Sequence, residues 1–174
     1  MVVFIPGWLI ALVTFPGVIL HEYAHKIACE KSGLMVYEVK YFRLGNPAGY
    51  VLHEPPHTFG QALAISMFPL VVNTLAEVIV SIVLAFLDPY TRSPLGWFLV
   101  WLAISFGMHA IPSTEDAKSL YRYCKENWRV EKKAILGFPI AAIVYVLSLA
   151  KIIWIDLFYA IGVWSLVSML FHVV

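Results

Sequence analysis

Residues 2–28 read VVFIPGWLIALVTFPGVILHEYAHKIA, an unbroken apolar run that ends in His21-Glu22-Tyr23-Ala24-His25. Such a run is long enough to cross a bilayer, since a helix rising 1.5 Å per residue needs roughly 20 residues. In a helix His21 and His25 stand one turn apart on the same face, where two imidazole nitrogens can share a metal ion. Glu22, next to them, can take a proton from water held at that ion, the role a metal-dependent hydrolase needs filled. So short a motif also arises by chance, and two histidines and a glutamate snorkelling at a membrane surface would give the same letters.

Composition sets the class. With 61% apolar and 13% charged residues in a chain of 174, the sequence cannot be arranged as a water-soluble globule, and an all-α integral membrane protein is expected. Apolar stretches at about 2–28, 60–87, 95–111, 134–152 and 156–174 predict about five transmembrane helices in one domain, the last two turning between Lys151 and Asp156. The first stretch lacks a basic leader and a small-residue cleavage site, so it is expected to be retained; Pro16 and Gly17 predict a kink a turn above His21. Lys26, Lys31, Lys40, Arg43, Lys118, Arg122, Lys125, Arg129, Lys132 and Lys133 cluster in two connections, against Arg92 and Lys151 elsewhere. That asymmetry predicts the first side as cytoplasmic, with the histidine pair near it, the N-terminus outside, the C-terminus inside, and Trp8, Trp97, Trp128 and Trp154 in interfacial belts. Cys29 and Cys124 fall on the cytoplasmic side, where thiols stay reduced. No repeat and no basic-aromatic surface suggests a nucleic-acid partner.

Two connecting segments predict structure of their own. Val36 to Arg43 alternates, with Tyr37, Val39 and Tyr41 on one face; Gly45-Asn46-Pro47-Ala48-Gly49 is a turn, and Tyr50 to His53 returns, predicting a β-hairpin on the cytoplasmic side. Its edge is either a short cap or a place where an extended peptide adds as a strand. From Thr114 to Lys133 the residues Ala117, Leu120, Tyr121, Cys124 and Trp128 recur at helical spacing opposite a basic face, predicting an amphipathic interfacial helix in the headgroup region.

A catalytic zinc normally takes three protein ligands, and the candidates for the third are Asp116, Glu115, Glu77, His109, His53 and His57. Asp116 has a competing explanation, because Ser113-Thr114-Glu115-Asp116 is also a helix capping box. Glu77 and Asn73, one turn apart in an apolar stretch, are expected to face the protein interior. Asn73 bonds either substrate or a neighbouring helix.

The chain resembles the site-2 protease family of intramembrane zinc metalloproteases over roughly its first 120 residues. His21-Glu22-Tyr23-Ala24-His25, then Gly33 and Gly49-Tyr50-Val51, are similar to that family's first helix and following sheet. Phe68-Pro69-Leu70-Val71-Val72-Asn73 resembles its Gly-Pro-x-x-Asn segment. His109-Ala110-Ile111-Pro112-Ser113-Thr114-Glu115-Asp116-Ala117 resembles its Asn-x-x-Pro segment running into Leu-Asp-Gly. Phe68 and Ala117 stand where the family has glycine, and His109 where it has asparagine. The resemblance implies Zn2+ held by His21, His25 and Asp116, Glu22 as catalytic base, and Asn73 and His109 as contacts to substrate or intermediate. The expected activity is peptide-bond hydrolysis in membrane-embedded or membrane-associated substrates, in the cell membrane near its cytoplasmic face. The competing expectation is a zinc-binding membrane protein without turnover that serves another membrane protein as chaperone or regulator; metal transport would need a polar path that the outer halves of the spans lack.

Overall fold

Pro16 lies in the first turn of a helix because the opening apolar run breaks just before it. In the computed structural model, which describes residues 6–87 and 93–172, Gly7–Val13 (α1) and Phe15–Lys31 (α2) meet at Thr14 with a bend of 93°. Val2–Ile5 of the expected first span, Arg92 of the charge asymmetry and Val173–Val174 lie outside the described residues. Proline has no N–H to donate and is tolerated at a helix start. The backbone groups loosened by the bend are bonded by Pro94–Met108 (α4): Ser105 Oγ accepts from Gly17 N at 2.9 Å and donates to Thr14 O at 3.0 Å, and Trp101 Nε1 donates to Val13 O at 2.9 Å.

The hairpin forms from Val36–Lys40 (β1) and Tyr50–His53 (β2), antiparallel, with Val39 opposite Val51 and Lys40 opposite Tyr50. An irregularity between Val36 and Glu38 breaks the alternation expected from sequence, so Val36 and Val39 are half-buried together and Tyr37 is 58% exposed.

Phe59–Leu87 (α3) is the axis against which α2, α4, Thr114–Asn127 (α5) and Ile155–His172 (α7) pack. α5 buries Ala117, Leu120, Tyr123 and Cys124 against Phe59 and Ala62 of α3 and Ala141 of Gly137–Leu149 (α6). Of the expected apolar face, Ala117, Leu120 and Cys124 are buried, while Tyr121, Trp128 and the basic face of Lys118, Arg122, Lys125 and Arg129 stay exposed.

The chain end also differs from expectation. α6 begins beside Phe59 and Cys124, and its Val144 and Leu147 reach the level of Leu70 and Ile111. A 3-10 turn at Ala150–Ile153 and a left-handed Trp154 (φ 66°) then lead into α7, where Tyr159 meets Thr74 and Phe171 meets Phe86. Both helices advance along α3 in the same direction. The turn expected at 151–156 is thus a break between successive helices, not a hairpin, and hydropathy alone does not register it.

The structure is mostly helical, 75%, with one small two-stranded sheet. Phe59–Leu87 and Lys132–Ile153 are each long and apolar enough to cross a membrane, and the bent pair α1–α2 makes a third if counted as one span. α4, with 15 residues, is about 22 Å long and falls short of the hydrocarbon thickness. Against five expected spans, two or three helices therefore meet the length and composition that crossing requires.

Candidate metal centre

His21 and His25 leave α2 on one face, and Asp116 arrives from the first turn of α5. The two Nε2 atoms stand 3.1 Å apart, His25 Nε2 is 3.2 Å from Asp116 Oδ1, and His21 Nε2 is 3.7 Å from Asp116 Oδ2. The three residues could hold a metal ion. Ligand atoms around a tetrahedral zinc, with bonds near 2.0–2.1 Å, stand about 3.3 Å from one another. The nitrogen pair and the His25–Oδ1 pair lie near that value, the 3.7 Å contact of His21 is to the other carboxylate oxygen, and one ligand atom from each residue lies within 4.8 Å of the others.

Hydrogen bonding on the far side of each ring fixes which nitrogen points inward. His21 Nδ1 lies 2.7 Å from His109 O and His25 Nδ1 lies 2.9 Å from Ile65 O. A carbonyl oxygen only accepts, so both Nδ1 atoms carry the proton, and in the neutral rings both Nε2 atoms present lone pairs. Two lone pairs and a carboxylate oxygen facing one another repel unless a proton or a metal cation lies between them. The donor set and its bonded outer ring could serve a metal ion held by two histidines and a carboxylate.

Local sequence explains why those carbonyls are free. Within α3 the partner of Ile65 O would be the N–H of residue 69, and Pro69 has none. At the end of α4 the corresponding donor for His109 O would be Ser113 N, which is bonded to Asp116 Oδ2 at 2.7 Å. Each histidine takes the acceptor that a proline or a cap has released.

Asp116 is both helix cap and candidate ligand. Ser113 N and Ser113 Oγ each donate to Oδ2 at 2.7 Å, and Asp116 N donates back to Ser113 Oγ at 3.2 Å, which completes the capping box at the start of α5. Oδ1 is left turned to His25. Burial by itself would push this carboxyl up; the charge on a protonated His25, with the hydrogen bonds that protonated His21 and His25 rings donate from Nε2, outweighs it and holds Asp116 well below the usual carboxylate range.

The triad opens into a cleft of about 670 Å3 lined by Glu22, Asn46–His53, Ser119, Arg122 and Lys151 among others. Glu22 makes no hydrogen bond among the described residues and packs its side chain on Gly49, where a Cβ would stand 2.5 Å from Glu22 Cγ. β2 lines the cleft, and β1 pairs with only one of its edges.

The remaining candidates fall elsewhere. Glu115 is exposed and paired with Lys118 at 2.7 Å, and His57 is exposed and paired with Glu54 at 3.2 Å. His53 borders the cleft with Nδ1 bonded to Glu54 O. His109 contributes its carbonyl; its ring Nε2 bonds Thr14 Oγ1 at 2.8 Å, and since that hydroxyl already donates to Ile10 O, the ring is the donor. Asn73 and Glu77 are both fully buried: Asn73 Nδ2 donates to Pro69 O at 3.2 Å, while Asn73 Oδ1 and both Glu77 oxygens have no hydrogen-bond partner among the described residues. Glu77 lies against Gly107 of α4. Cys29 and Cys124 are free and buried.

Ile65, Ser113, Gly49 and Lys151 enter the site without having been singled out as site residues. Pro69, four residues after Ile65, was the available signal for the first; Gly49 and Lys151 are brought in by tertiary contacts that no local pattern encodes. No protein-family model, no curated protein and no solved structure matches the chain.

Proposed function

We propose that the protein is a zinc-dependent endopeptidase of the cell membrane, similar in its motifs to the site-2 proteases, with its active site near the cytoplasmic face. One observation carries the reading: two imidazoles turned inward by carbonyl bonds and a capped carboxylate converge so that one ligand atom from each lies within 4.8 Å of the others, with a further glutamate lining the same cleft. The donor set of two nitrogens and one oxygen suits zinc and leaves a fourth tetrahedral position for water or substrate. Zinc would supply Lewis acidity, polarising the scissile carbonyl and acidifying water.

The chain's own residues do the rest. His109 O and Ile65 O keep the imidazoles turned inward, and Ser113 holds Asp116 by one oxygen. Glu22 takes the proton of the attacking water and hands it to the leaving amine. The outer edge of β2 offers main-chain hydrogen bonds to an extended peptide, which favours local unwinding of a helical substrate, whose carbonyls are otherwise shielded. The apolar composition and the ten clustered basic residues support the membrane setting and the cytoplasmic orientation.

The test is metal content and peptide hydrolysis by the purified full chain and its Glu22→Gln variant. One zinc per chain in both, with hydrolysis reduced by about 10²–10⁴-fold in the variant, is expected. Equal metal with equally absent turnover in both would instead point to a non-catalytic zinc-binding membrane protein.

A further inference from the structure

Lys151 is a cation placed in an apolar stretch, where an ionisable side chain is costly and usually functional. It sits in the 3-10 turn that breaks the last apolar region, and it lines the same cleft as His21, Glu22 and Asp116. Its Nζ donates to Ile111 O at 2.8 Å, and no carboxylate lies within ion-pair distance of it among the described residues. Asp156 and Asp116 are close enough to interact with it electrostatically, but Asp156 Oδ1 accepts from Leu157 N at 3.0 Å and Asp116 is engaged by Ser113 and the histidines. An ammonium has three donors, so this one keeps two without a protein acceptor among the described residues, and a partly buried cation of that kind calls for an anion.

We propose that Lys151 is a substrate-recognition residue that binds a carboxylate of the peptide occupying the cleft. The anion is either the C-terminal carboxylate or an aspartate or glutamate side chain; the two share the chemistry that an ammonium reads. This assignment rests on the cleft being a peptide site, as the proteolytic reading has it, but it makes a claim about binding that does not depend on turnover. The 3-10 turn and the left-handed Trp154 that follows it break the apolar stretch where Lys151 reaches the wall of the cleft.

The experiment uses the full chain carrying Glu22→Gln and loaded with zinc, so that peptides bind without being cut. Fluorescent peptides are compared in two pairs, a free C-terminus against its amide, and an internal aspartate against asparagine. The acidic member of one pair should bind about tenfold more tightly. That advantage should vanish on adding Lys151→Gln, and should persist with Lys151→Arg or with Lys125→Gln on the exposed face of α5. Which pair shows the preference identifies the source of the carboxylate. Equal binding of acidic and neutral peptides to the parent protein overturns the proposal whether or not any Lys151 variant folds, and so does an advantage that survives Lys151→Gln. With Glu22 intact, Lys151→Gln should raise KM for the preferred peptide with kcat little changed. If the wild type cuts neither peptide, the proteolytic reading fails while the binding comparison still decides the role of Lys151.

Discussion

Ser113 bonds Asp116 twice through one carboxylate oxygen, Oδ2, and leaves Oδ1 facing His25 at 3.2 Å. Helix capping and metal ligation, which compete as readings of the sequence, are therefore compatible in one arrangement: the cap fixes the carboxylate and leaves an oxygen where a metal ligand could stand. The cap fixes the rotamer that the ligand needs.

Ser113→Ala follows from this. It removes the hydroxyl that Asp116 N donates to and one of the two donors to Oδ2. Loss of an N-cap side chain costs about 0.5–2 kcal/mol, and loss of an outer-shell partner typically weakens metal affinity 10–100-fold. Thermal unfolding and competitive zinc titration should both register it. Asp116→Asn should abolish stoichiometric zinc binding, whereas undiminished affinity in Ser113→Ala would show that the cap does not orient the ligand.

Pro69→Ala separates helix stability from metal binding. An alanine restores an N–H that competes with His25 Nδ1 for Ile65 O. α3 itself should be no less stable, since a helix-interior proline is replaced by the best helix former. Zinc affinity should nonetheless fall by about 10-fold or more, because His25 loses exclusive hold of its orienting acceptor. An unchanged affinity, measured by chelator competition, would mean that the carbonyl serves both donors at once.

How much of this was legible in the sequence depends on whether the information is local. The His21–His25 pairing follows from helical spacing, and the hairpin from Val36 to His53 follows from a turn-rich segment between two β-prone runs; both appear in the structure. Asp116 could be placed at the site only through a resemblance, because no local pattern distinguishes a capping aspartate from a liganding one. The acceptors on Ile65 and His109 are backbone atoms and carry no residue signature of their own. Hydropathy located the apolar segments but could not show that α6 and α7 follow one another along α3, or that α5 packs Leu120, Tyr123 and Cys124 on protein. Those are properties of packing partners distant in sequence.

Glu77 tests whether a buried acid in α3 is structural. Its side chain is fully buried against Gly107, with neither oxygen bonded among the described residues. Replacing an unsatisfied buried polar group by an apolar one of similar shape is near neutral or stabilising. Glu77→Met should therefore match or exceed the wild type in thermal stability and keep its zinc. A loss above about 2 kcal/mol would show that the carboxyl has partners worth more than its desolvation.

Gly17→Ala probes the junction of α2 with α4. A Cβ at residue 17 would overlap the Ser105 carbonyl oxygen and press on the His109 ring. The first contact is with backbone, which cannot rotate away, so the helices must separate at a cost of about 1–3 kcal/mol. Because His109 O orients His21, zinc affinity should fall together with the unfolding temperature. A stable variant with full affinity would mean that α2 and α4 part without disturbing that carbonyl.

Gly49→Ala tests the proposed role of Glu22 as base separately from metal binding. The glycine is buried under Glu22, and an added methyl would stand 2.5 Å from Glu22 Cγ and 3.0 Å from its Cδ and Oε1. Two bodies can yield: the hairpin moves off the cleft, or the Glu22 side chain rotates to another rotamer. Either changes the distance from the carboxylate to the attacking water, and misplacement by about 1 Å can lower a rate about 100-fold. Metal content should be unaffected, since the three atoms nearest an added methyl all belong to Glu22 and none to His21, His25 or Asp116. Retained zinc with a kcat reduced toward that of Glu22→Gln is the expected pair of results; full activity would show that the close approach of Gly49 does not set the position of the base.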